Sequence, residues 1–345
     1  MIIHERGKQA PNPADAPGVA GATPSRLRPV FVGGCERSGT TMLGAMLGAH
    51  SLCVCVPESH FIEQLLACGD FDPDAVEPQA VLASIVAHER YRVLWKLPID
   101  PRAVDSTELG STYAEVLAWL VRAYARSLGK PDAPVWVDQT PSNFKRGLTM
   151  LRMFPEARFI HIVRDGRGVA ASVLPLDWGT NDILRAAEFW MARCAVGLAA
   201  ESQLGPDRVL RVRYEDLLTH PETALLRIAS FAGLDYQPAM AQGTGYSPSR
   251  YNERQHRLVG QPPDQSRANS WHHSLTPRQI EIFESVAGEF LEMLGYEPQY
   301  GIRARPARAP EVIRMKIGAI VLRLRNNLRH RHRIRASLVQ PPPAR

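Results

Sequence analysis

The stretch with the clearest chemical content covers residues 31–47 and reads FVGGCERSGTTMLGAML. From Gly34 the spacing is G-x-x-x-x-G, followed by Thr40 and Thr41, which is the spacing of a phosphate-binding loop. A nucleoside-triphosphatase loop carries Lys where Thr40 stands, and that Lys bridges the outer phosphates. We therefore expect this loop to hold one phosphate-like group, without a γ-phosphate and without a metal ion. The alternative is a turn of small residues that caps a helix.

The same loop carries the donors that an anion requires. Backbone N–H groups converge where a strand turns into a helix, and the helix dipole adds partial positive charge. Ser38, Thr40 and Thr41 add hydroxyl groups, Arg37 adds a forked cation, and Gly39 permits the tight turn.

A second loop, RFIHIVRDGRGVAASVL, repeats this arrangement at residues 158–174. A buried strand is predicted to end at Val163, and Arg164 would share one phosphate with Ser172, two turns into the next helix. The alternative pairs Arg164 with Asp165 and leaves Ser172 on an exposed helix face. Together the two loops predict a ligand with two separated phosphate-like groups.

Five apolar runs, with helical patterns between them, supply the elements that would position these loops. Strands alternating with helices predict an α/β fold of three layers, in which helices flank a central parallel sheet, similar to phosphate-loop nucleoside triphosphatases. Ligands of such sheets bind beyond the carboxyl ends of the strands. The predicted strands are residues 29–34, 52–56, 135–138, 158–163 and 208–213.

Composition indicates a globular protein, with 45% hydrophobic and 22% charged residues. The formal charge of +6 is misleading, because twelve Lys and Arg and a single acid, Glu311, follow residue 301. The rest of the chain is mildly acidic, so nucleic acid is not an expected partner. We expect a disordered lead-in at residues 1–28, a catalytic domain at 29–300 and a basic tail at 301–345.

Five cysteines do not form an evident disulfide framework, and no run is long and apolar enough to cross a bilayer. A reduced, cytoplasmic protein is the simplest expectation. His50, Cys53, Cys55 and His60 have spacing that could suit zinc. The surrounding run is strand-like, which favours buried cysteines on one face of a strand instead.

The two loops resemble the 5′-phosphosulfate and 3′-phosphate loops of sulfotransferases that use 3′-phosphoadenosine 5′-phosphosulfate (PAPS). Residues 135–173, 208–235 and 270–298 are similar to further blocks of that family, in the same order. The resemblance covers residues 29–298 and is closest to the branch of tyrosylprotein sulfotransferases and many bacterial enzymes. It implies the sulfotransferase fold, PAPS as co-substrate and 3′,5′-diphosphoadenosine (PAP) as product. The chain lacks the R-K-G-x-x-G run of the cytosolic branch that acts on phenols and steroids.

The resemblance implies roles for individual residues. Arg164 and Ser172 match the 3′-phosphate pair, and Tyr214 stands where the family often has a cofactor-contacting tyrosine, although an ordinary buried tyrosine is the alternative. Arg267 and Ser270 occupy the place of a late loop that covers the nucleotide. The residues that match the 5′-phosphosulfate loop are Arg37, Ser38, Gly39, Thr40 and Thr41.

Sulfuryl transfer requires a base for the acceptor hydroxyl and cations for the leaving phosphate. We predict Arg37 for the second role and Glu58 for the first, because a glutamate of the tyrosylprotein-like branch resembles it in place and role. The alternative is that Glu58 only caps its helix. His60 is the second candidate base, but helical spacing is expected to turn it away from Glu58.

One departure from the family is Gln139, where the pattern often has Lys. If that lysine normally neutralises the leaving group, Lys96 or Lys145 could compensate. The alternative is a slow enzyme or one that positions its acceptor differently. Residues 239–270 are too long and aperiodic for a simple connection, which indicates a lid or binding loop. We expect the acceptor to be lined by residues 61–98 and 174–190.

The basic tail contains an apolar helical stripe. Arg side chains flank it, so it could lie on an anionic membrane surface. Helix stripes usually mark packing, so docking on its own domain or on a sister subunit is the preferred interpretation. The stripe consists of Ile313, Ile317, Ile320, Leu324 and Leu328, with Val321 beside it.

The leading hypothesis is therefore a PAPS-dependent sulfotransferase that acts on a hydroxyl of a glycan, lipid, peptide or secondary metabolite. A phosphate-loop kinase or nucleotide hydrolase is the second hypothesis, against which Thr40 argues. A non-catalytic nucleotide-binding relative is the third, and Gln139 keeps it open.

Overall fold

The computed structural model describes residues 27–68 and 71–339, so the lead-in predicted for residues 1–28 falls outside the description except for its last two residues. Within the described residues five strands form one parallel sheet in the order β2-β3-β1-β4-β5. All five predicted strands are present, and the predicted α/β class is confirmed. The strands are β1 (Arg28–Gly34), β2 (Cys53–Val56), β3 (Val135–Asp138), β4 (Arg158–Val163) and β5 (Val209–Arg213).

Helices cover both faces of this sheet and give the predicted three layers. Within the described residues the α-helices are α1 (Thr40–Gly48), α2 (His60–Leu66), α3 (Pro78–Ala87), α4 (Ser106–Leu109), α5 (Tyr113–Ser127), α6 (Gly147–Met153), α7 (Gly166–Val173), α8 (Ile183–Leu204), α9 (Tyr214–Thr219), α10 (Pro221–Ala232), α11 (Ala239–Gln242), α12 (Trp271–Ser274), α13 (Pro277–Met293) and α14 (Ala309–Val339).

The strands are buried on both faces, which is why their sequences are continuous apolar runs. Phe31 of β1 packs on one side of the sheet with Val54 of β2. On the other side Val32 packs with Cys53 and Cys55 in the cluster that contains α1. Burial of each large aliphatic or aromatic side chain contributes about 1.5–3 kcal/mol, so these two clusters fix the sheet between its helix layers.

Strand order brings the two predicted phosphate loops together. β1 lies between β3 and β4, and Gly34 at its end pairs with Ile162, the residue before the end of β4. The chain leaves both strands at the same edge of the sheet and enters α1 and α7 there. The crevice beyond the carboxyl ends of neighbouring strands is where open α/β sheets bind ligands.

The segment between α13 and α14 is held against the domain by ion pairs. Arg305 pairs with Glu281 of α13 at 2.6 Å, and Arg278 of α13 pairs with Glu311 of α14 at 2.8 Å. α14 is therefore tethered to the domain at its start. No described helix is both long and apolar enough to span a bilayer.

Candidate active site

The corner after β1 is a strained turn that requires glycine at two positions. Gly34 and Gly39 have φ of 147° and 100°, and Arg37 has φ of 71°, which costs a non-glycine residue about 1–3 kcal/mol. A Cβ on Gly34 would lie 2.3 Å from the carbonyl oxygen of Ile162, and one on Gly39 would lie 2.6 Å from the ring of Tyr214. The turn is thus held against the neighbouring strand and α9.

This turn delivers the N-terminus of the nine-residue helix α1 to the sheet edge. The first N–H groups of a helix have no partner within it, and they attract anions. Thr40 and Thr41 are buried in the first turn, and the fully buried Ser38 Oγ has no hydrogen-bond partner among the described residues. A buried hydroxyl without a hydrogen-bond partner, beside a helix N-terminus, fits a site for a phosphate-like group.

The corner after β4 contacts the first corner directly. Arg164 Nη1 donates to the carbonyl oxygen of Arg37 at 2.8 Å, and Arg37 Nε donates to Ser172 Oγ of α7 at 3.1 Å. The guanidinium of Arg164 lies 4.4 Å from the centre of the Tyr214 ring, and its Nε has no partner within the described residues. Tyr214 is therefore both a buried tyrosine and the support of Arg164.

The alternative in which Arg164 pairs with Asp165 is wrong. Asp165 accepts two hydrogen bonds from the side chain of Arg167, at 3.0 and 2.7 Å, and Arg167 also pairs with Glu284 of α13 at 2.7 Å. This buried ion-pair group fixes the start of α7. Asp165 is thereby paired with Arg167, and the Arg164 guanidinium faces the crevice.

A cavity of about 390 Å³ lies between the two corners. The segment of residues 239–270, here called the strap, closes this cavity from the other side with its residues 255–259. Of the residues predicted to hold the nucleotide, all but Ser38 line this cavity: Arg37, Gly39, Thr40, Thr41, Arg164, Ser172, Tyr214, Arg267 and Ser270.

A smaller cavity of about 180 Å³ adjoins the first. Arg37 and Thr40 of the phosphate loop line both cavities, as do Gln255 and His256 of the strap. The smaller cavity also contains Glu58, the predicted base. Its remaining walls are Glu36, His60, Arg90, Leu94, Pro141, Trp178, Tyr251 and Asn252.

Glu58 and His60 form a hydrogen-bonded pair in this smaller cavity. Glu58 Oε2 lies 2.7 Å from His60 Nε2, so the expectation that His60 turns away from Glu58 is wrong. That expectation assumed a helix from residue 58, whereas α2 begins at His60 and Ser59 is its N-cap. Glu58 precedes the helix and its side chain does not cap it.

The surroundings of Glu58 act on its pKa in opposite directions. Burial favours the protonated carboxyl and would raise its pKa, but the hydrogen bond from His60 and the charges of His60 and Arg90 hold the pKa below its ordinary value. The carboxylate is consequently ionised at neutral pH and able to accept a proton. Its side chain keeps 16% of its surface exposed, on the side of the cavity.

The strap supplies residues that sequence patterns did not identify. Arg37 Nη2 donates to the carbonyl oxygen of Gln255 at 2.7 Å, and Trp178 Nε1 donates to Gln255 Oε1 at 3.1 Å. Burial, with the neighbouring Arg37 charge, lowers the pKa of His256 to about 4, so this imidazole is neutral at pH 7. The length of the strap was the only signal, and it carries no code for particular residues.

Arg37 is the cation common to both cavities. Burial, with the nearby Arg164 charge, lowers its pKa to about 10, which still leaves it charged at neutral pH. Neither lysine expected to compensate for Gln139 lines either cavity: Lys145 pairs with Glu63 at 2.5 Å, and Lys96 is exposed.

Gln139 itself is fully buried beneath α1. Its Cβ and Cγ lie 2.9 and 3.0 Å from the position that a Cβ on Gly44 would take, and neither polar atom of its amide has a partner among the described residues. It does not reach either cavity wall.

The zinc alternative is not supported by the side chains concerned. Cys53 and Cys55 are buried in the core, His60 bonds to Glu58, and His50 Nδ1 accepts from the amide of Leu52. Across residues 27–68 and 71–339 no three His, Cys, Asp or Glu side chains are arranged to hold a metal ion.

Known proteins share this sequence pattern and this fold. The chain is 25% identical over 281 residues to protein-tyrosine sulfotransferase A of Caenorhabditis elegans, covering 78% of this chain and 67% of that protein. It is 23% identical over 280 residues to protein-tyrosine sulfotransferase of Drosophila melanogaster, of which it spans only 52%. Nodulation protein NoeE of Sinorhizobium fredii is 25% identical over 294 residues, 77% of this chain and 65% of that protein.

Among solved structures, the sulfotransferase domain of the Synechococcus PCC 7002 olefin synthase superposes with a TM-score of 0.56 at 23% identity, over 79% of this chain and 96% of that domain. This likeness establishes the fold. The sequence model described as Sulfotransferase family matches residues 29–238, well over half of the chain. The chain therefore belongs to the sulfotransferase family, whose members transfer a sulfuryl group to an acceptor.

Proposed function

We propose that this protein transfers the sulfuryl group of PAPS to a hydroxyl group, with Glu58 as general base. The observation that carries the proposal is the junction of the two cavities. Arg37 and Thr40 belong to both, so a group held at the phosphate loop would face the cavity that contains Glu58. The larger cavity is lined by cationic and hydroxyl groups from both corners, as a nucleotide with two phosphate-bearing ends requires.

The donor residues divide by corner. We assign the 5′-phosphosulfate to the phosphate loop, where the α1 N-terminus, Ser38 and the two threonines offer N–H and O–H donors. Arg164 and Ser172 would hold the 3′-phosphate, and Tyr214 would keep the Arg164 guanidinium in place by its stacking contact. PAPS supplies the activated sulfuryl group and departs as PAP.

On the acceptor side, the Glu58 carboxylate would accept the hydroxyl proton as the oxygen bonds to sulfur and the bond between sulfur and the 5′-phosphate oxygen breaks. The carboxylate is a weak base for a free alcohol, but it accepts the proton late, when the attacked hydroxyl has become acidic. Arg37 would stabilise the charge that develops on the leaving phosphate oxygen. His60 would orient Glu58 by its hydrogen bond.

The acceptor is proposed by chemical class only, as a hydroxyl-bearing glycan, lipid, peptide or secondary metabolite. The relatives named protein-tyrosine sulfotransferase support a hydroxyl acceptor. Trp178 and Tyr251 give the smaller cavity aromatic walls, and Arg90 gives it a cation that bonds to the Tyr251 hydroxyl at 2.8 Å.

The direct test is incubation of the full chain with PAPS that carries a radiolabelled sulfuryl group, together with a cell extract. We expect label in an extract component, and PAP formed in equal amount. Binding of PAP without transfer to any acceptor would instead support the non-catalytic alternative. Mg²⁺-dependent turnover of ATP would contradict the proposal.

A further inference from the structure

Helix α14 presents two opposite faces. With 100° per residue, Met315 and Asn326 lie about 170° around the helix from the centre of the predicted apolar stripe. Met315 packs against the core cluster of α7, α8 and α13. Asn326 is buried and donates to Asn181 Oδ1 at 3.1 Å and to the carbonyl oxygen of Leu176 at 3.4 Å. The helix therefore docks on its own domain, but through the face opposite the stripe.

Five side chains of the stripe are exposed to solvent. The exposed fractions are 58% for Ile313, 60% for Ile317, 63% for Ile320, 61% for Val321 and 70% for Leu328. These side chains fall within an arc of about 100°. A contiguous apolar surface of this kind usually marks an interaction site. The expected docking of the stripe on its own domain is thus not what the structure has, and docking on a sister subunit stays a prediction.

The residues around the stripe are cationic. Helix α14 contains eight Lys and Arg and one acid, Glu311, which pairs with Arg278. Arg314 and Arg325 lie along one side of the stripe and Lys316 along the other, all exposed. Arg331 and Arg335 continue the line of the stripe towards the helix end, and both are exposed.

We propose that this face, the apolar stripe with its cationic flanks, binds the surface of a membrane that contains anionic phospholipid. Its apolar arc is the kind of face that an interfacial helix inserts among the lipid headgroups, and its flanking arginines complement the headgroup phosphates. Pairing of two such helices from two copies of the chain would bring their cationic flanks together, which is unfavourable. Charge complementarity therefore selects a lipid surface over a second copy.

Attachment of this face would also place part of the proposed active site next to the membrane. Asn326 holds Leu176, which lines the larger cavity, and Trp178, two residues further on, lines the smaller one. The helix that would contact lipid thus supports a wall of each cavity.

The test is co-sedimentation of the full chain with vesicles of phosphatidylcholine, with and without phosphatidylglycerol. We expect binding to the mixed vesicles that weakens with salt. Ile317→Ser with Ile320→Ser should weaken it at least about tenfold through loss of apolar burial. Each of Arg314→Gln and Arg325→Gln should weaken it about fivefold.

The matched control changes two equally exposed leucines of the body, Leu148→Ser with Leu226→Ser, which are 52% and 54% exposed. It should bind vesicles as the unaltered chain does. PAP binding by every variant serves as the check on folding. Failure of the unaltered chain to bind mixed vesicles, or equal losses in the control, would overturn the proposal. So would a stripe variant that changes the oligomeric mass in sedimentation equilibrium while vesicle binding is unchanged.

Discussion

The two adjoining cavities are built by different means. The larger one lies between two strand-to-helix corners whose positions follow from the sheet, and these corners line it with helix N-termini, hydroxyls and arginines, although the strap closes its other side. The smaller one is formed mostly by side chains from distant segments, including Arg90, Trp178 and Tyr251. The proposed donor site therefore depends mainly on backbone geometry common to the fold, while the proposed acceptor site depends on how individual loops pack.

The largest expected effect separates chemistry from donor binding. Glu58→Gln should lower transfer to the acceptors of a cell extract about 10²–10⁴-fold, because the proton acceptor is lost. The PAP dissociation constant, measured by calorimetry, should change little, because Glu58 lines only the smaller cavity. The control is Glu63→Gln, because Glu63 lies in the first turn of α2, pairs with Lys145 and lines neither cavity. A fully active Glu58→Gln enzyme would remove the glutamate from the mechanism.

The next largest effect is expected on nucleotide binding in the larger cavity. Arg164→Ala should weaken PAP binding about 10- to 100-fold, since a charge-assisted hydrogen bond contributes about 1.5–3 kcal/mol. AMP, which lacks the 3′-phosphate, should lose far less. The control is Arg185→Ala, whose side chain is 66% exposed and lies outside both cavities. Equal losses for PAP and AMP in calorimetry would contradict the assignment of Arg164 to the 3′-phosphate.

A pH profile tests whether the smaller cavity tunes its carboxylate. His60→Leu removes the hydrogen bond and charge that lower the Glu58 pKa, so burial should then raise it. Because the base acts when ionised, activity is lost as pH falls through the Glu58 pKa, and the acid limb should move to higher pH. His60→Gln keeps a hydrogen-bond donor and should move it less. An unchanged acid limb in His60→Leu would show that His60 does not act through Glu58.

The smallest effect concerns the wall between Trp178 and the strap. Trp178→Phe removes the hydrogen bond to Gln255 Oε1, and with a purified acceptor KM should rise about two- to tenfold. The PAP dissociation constant should stay within about twofold, because Trp178 does not line the larger cavity. A loss of PAP affinity as large as the rise in KM would show that the Trp178–Gln255 contact affects both cavities.

Local sequence was sufficient for the corners and insufficient for the acceptor side. Residues 61–98 and 174–190 were expected to line the acceptor, and Arg90, Leu94 and Trp178 do line the smaller cavity. Tyr251 and His256 were not expected there, because they come from an aperiodic segment whose path is set by contacts such as that of Gln255 with Arg37. The role of each site residue stays a prediction until the variants are measured.

The chain's residue pattern alone specified the parallel sheet, the two glycine-rich corners and the family. Buried strands, tight turns and helix starts are governed by side-chain periodicity and by backbone freedom at residues such as Gly34 and Gly39, which are local properties. Folding decided the Glu58–His60 pair, the burial of Gln139 and the outward face of the apolar stripe on α14. The first depends on where α2 begins. The other two depend on which face or side chain finds a partner, and those contacts join residues far apart in the chain.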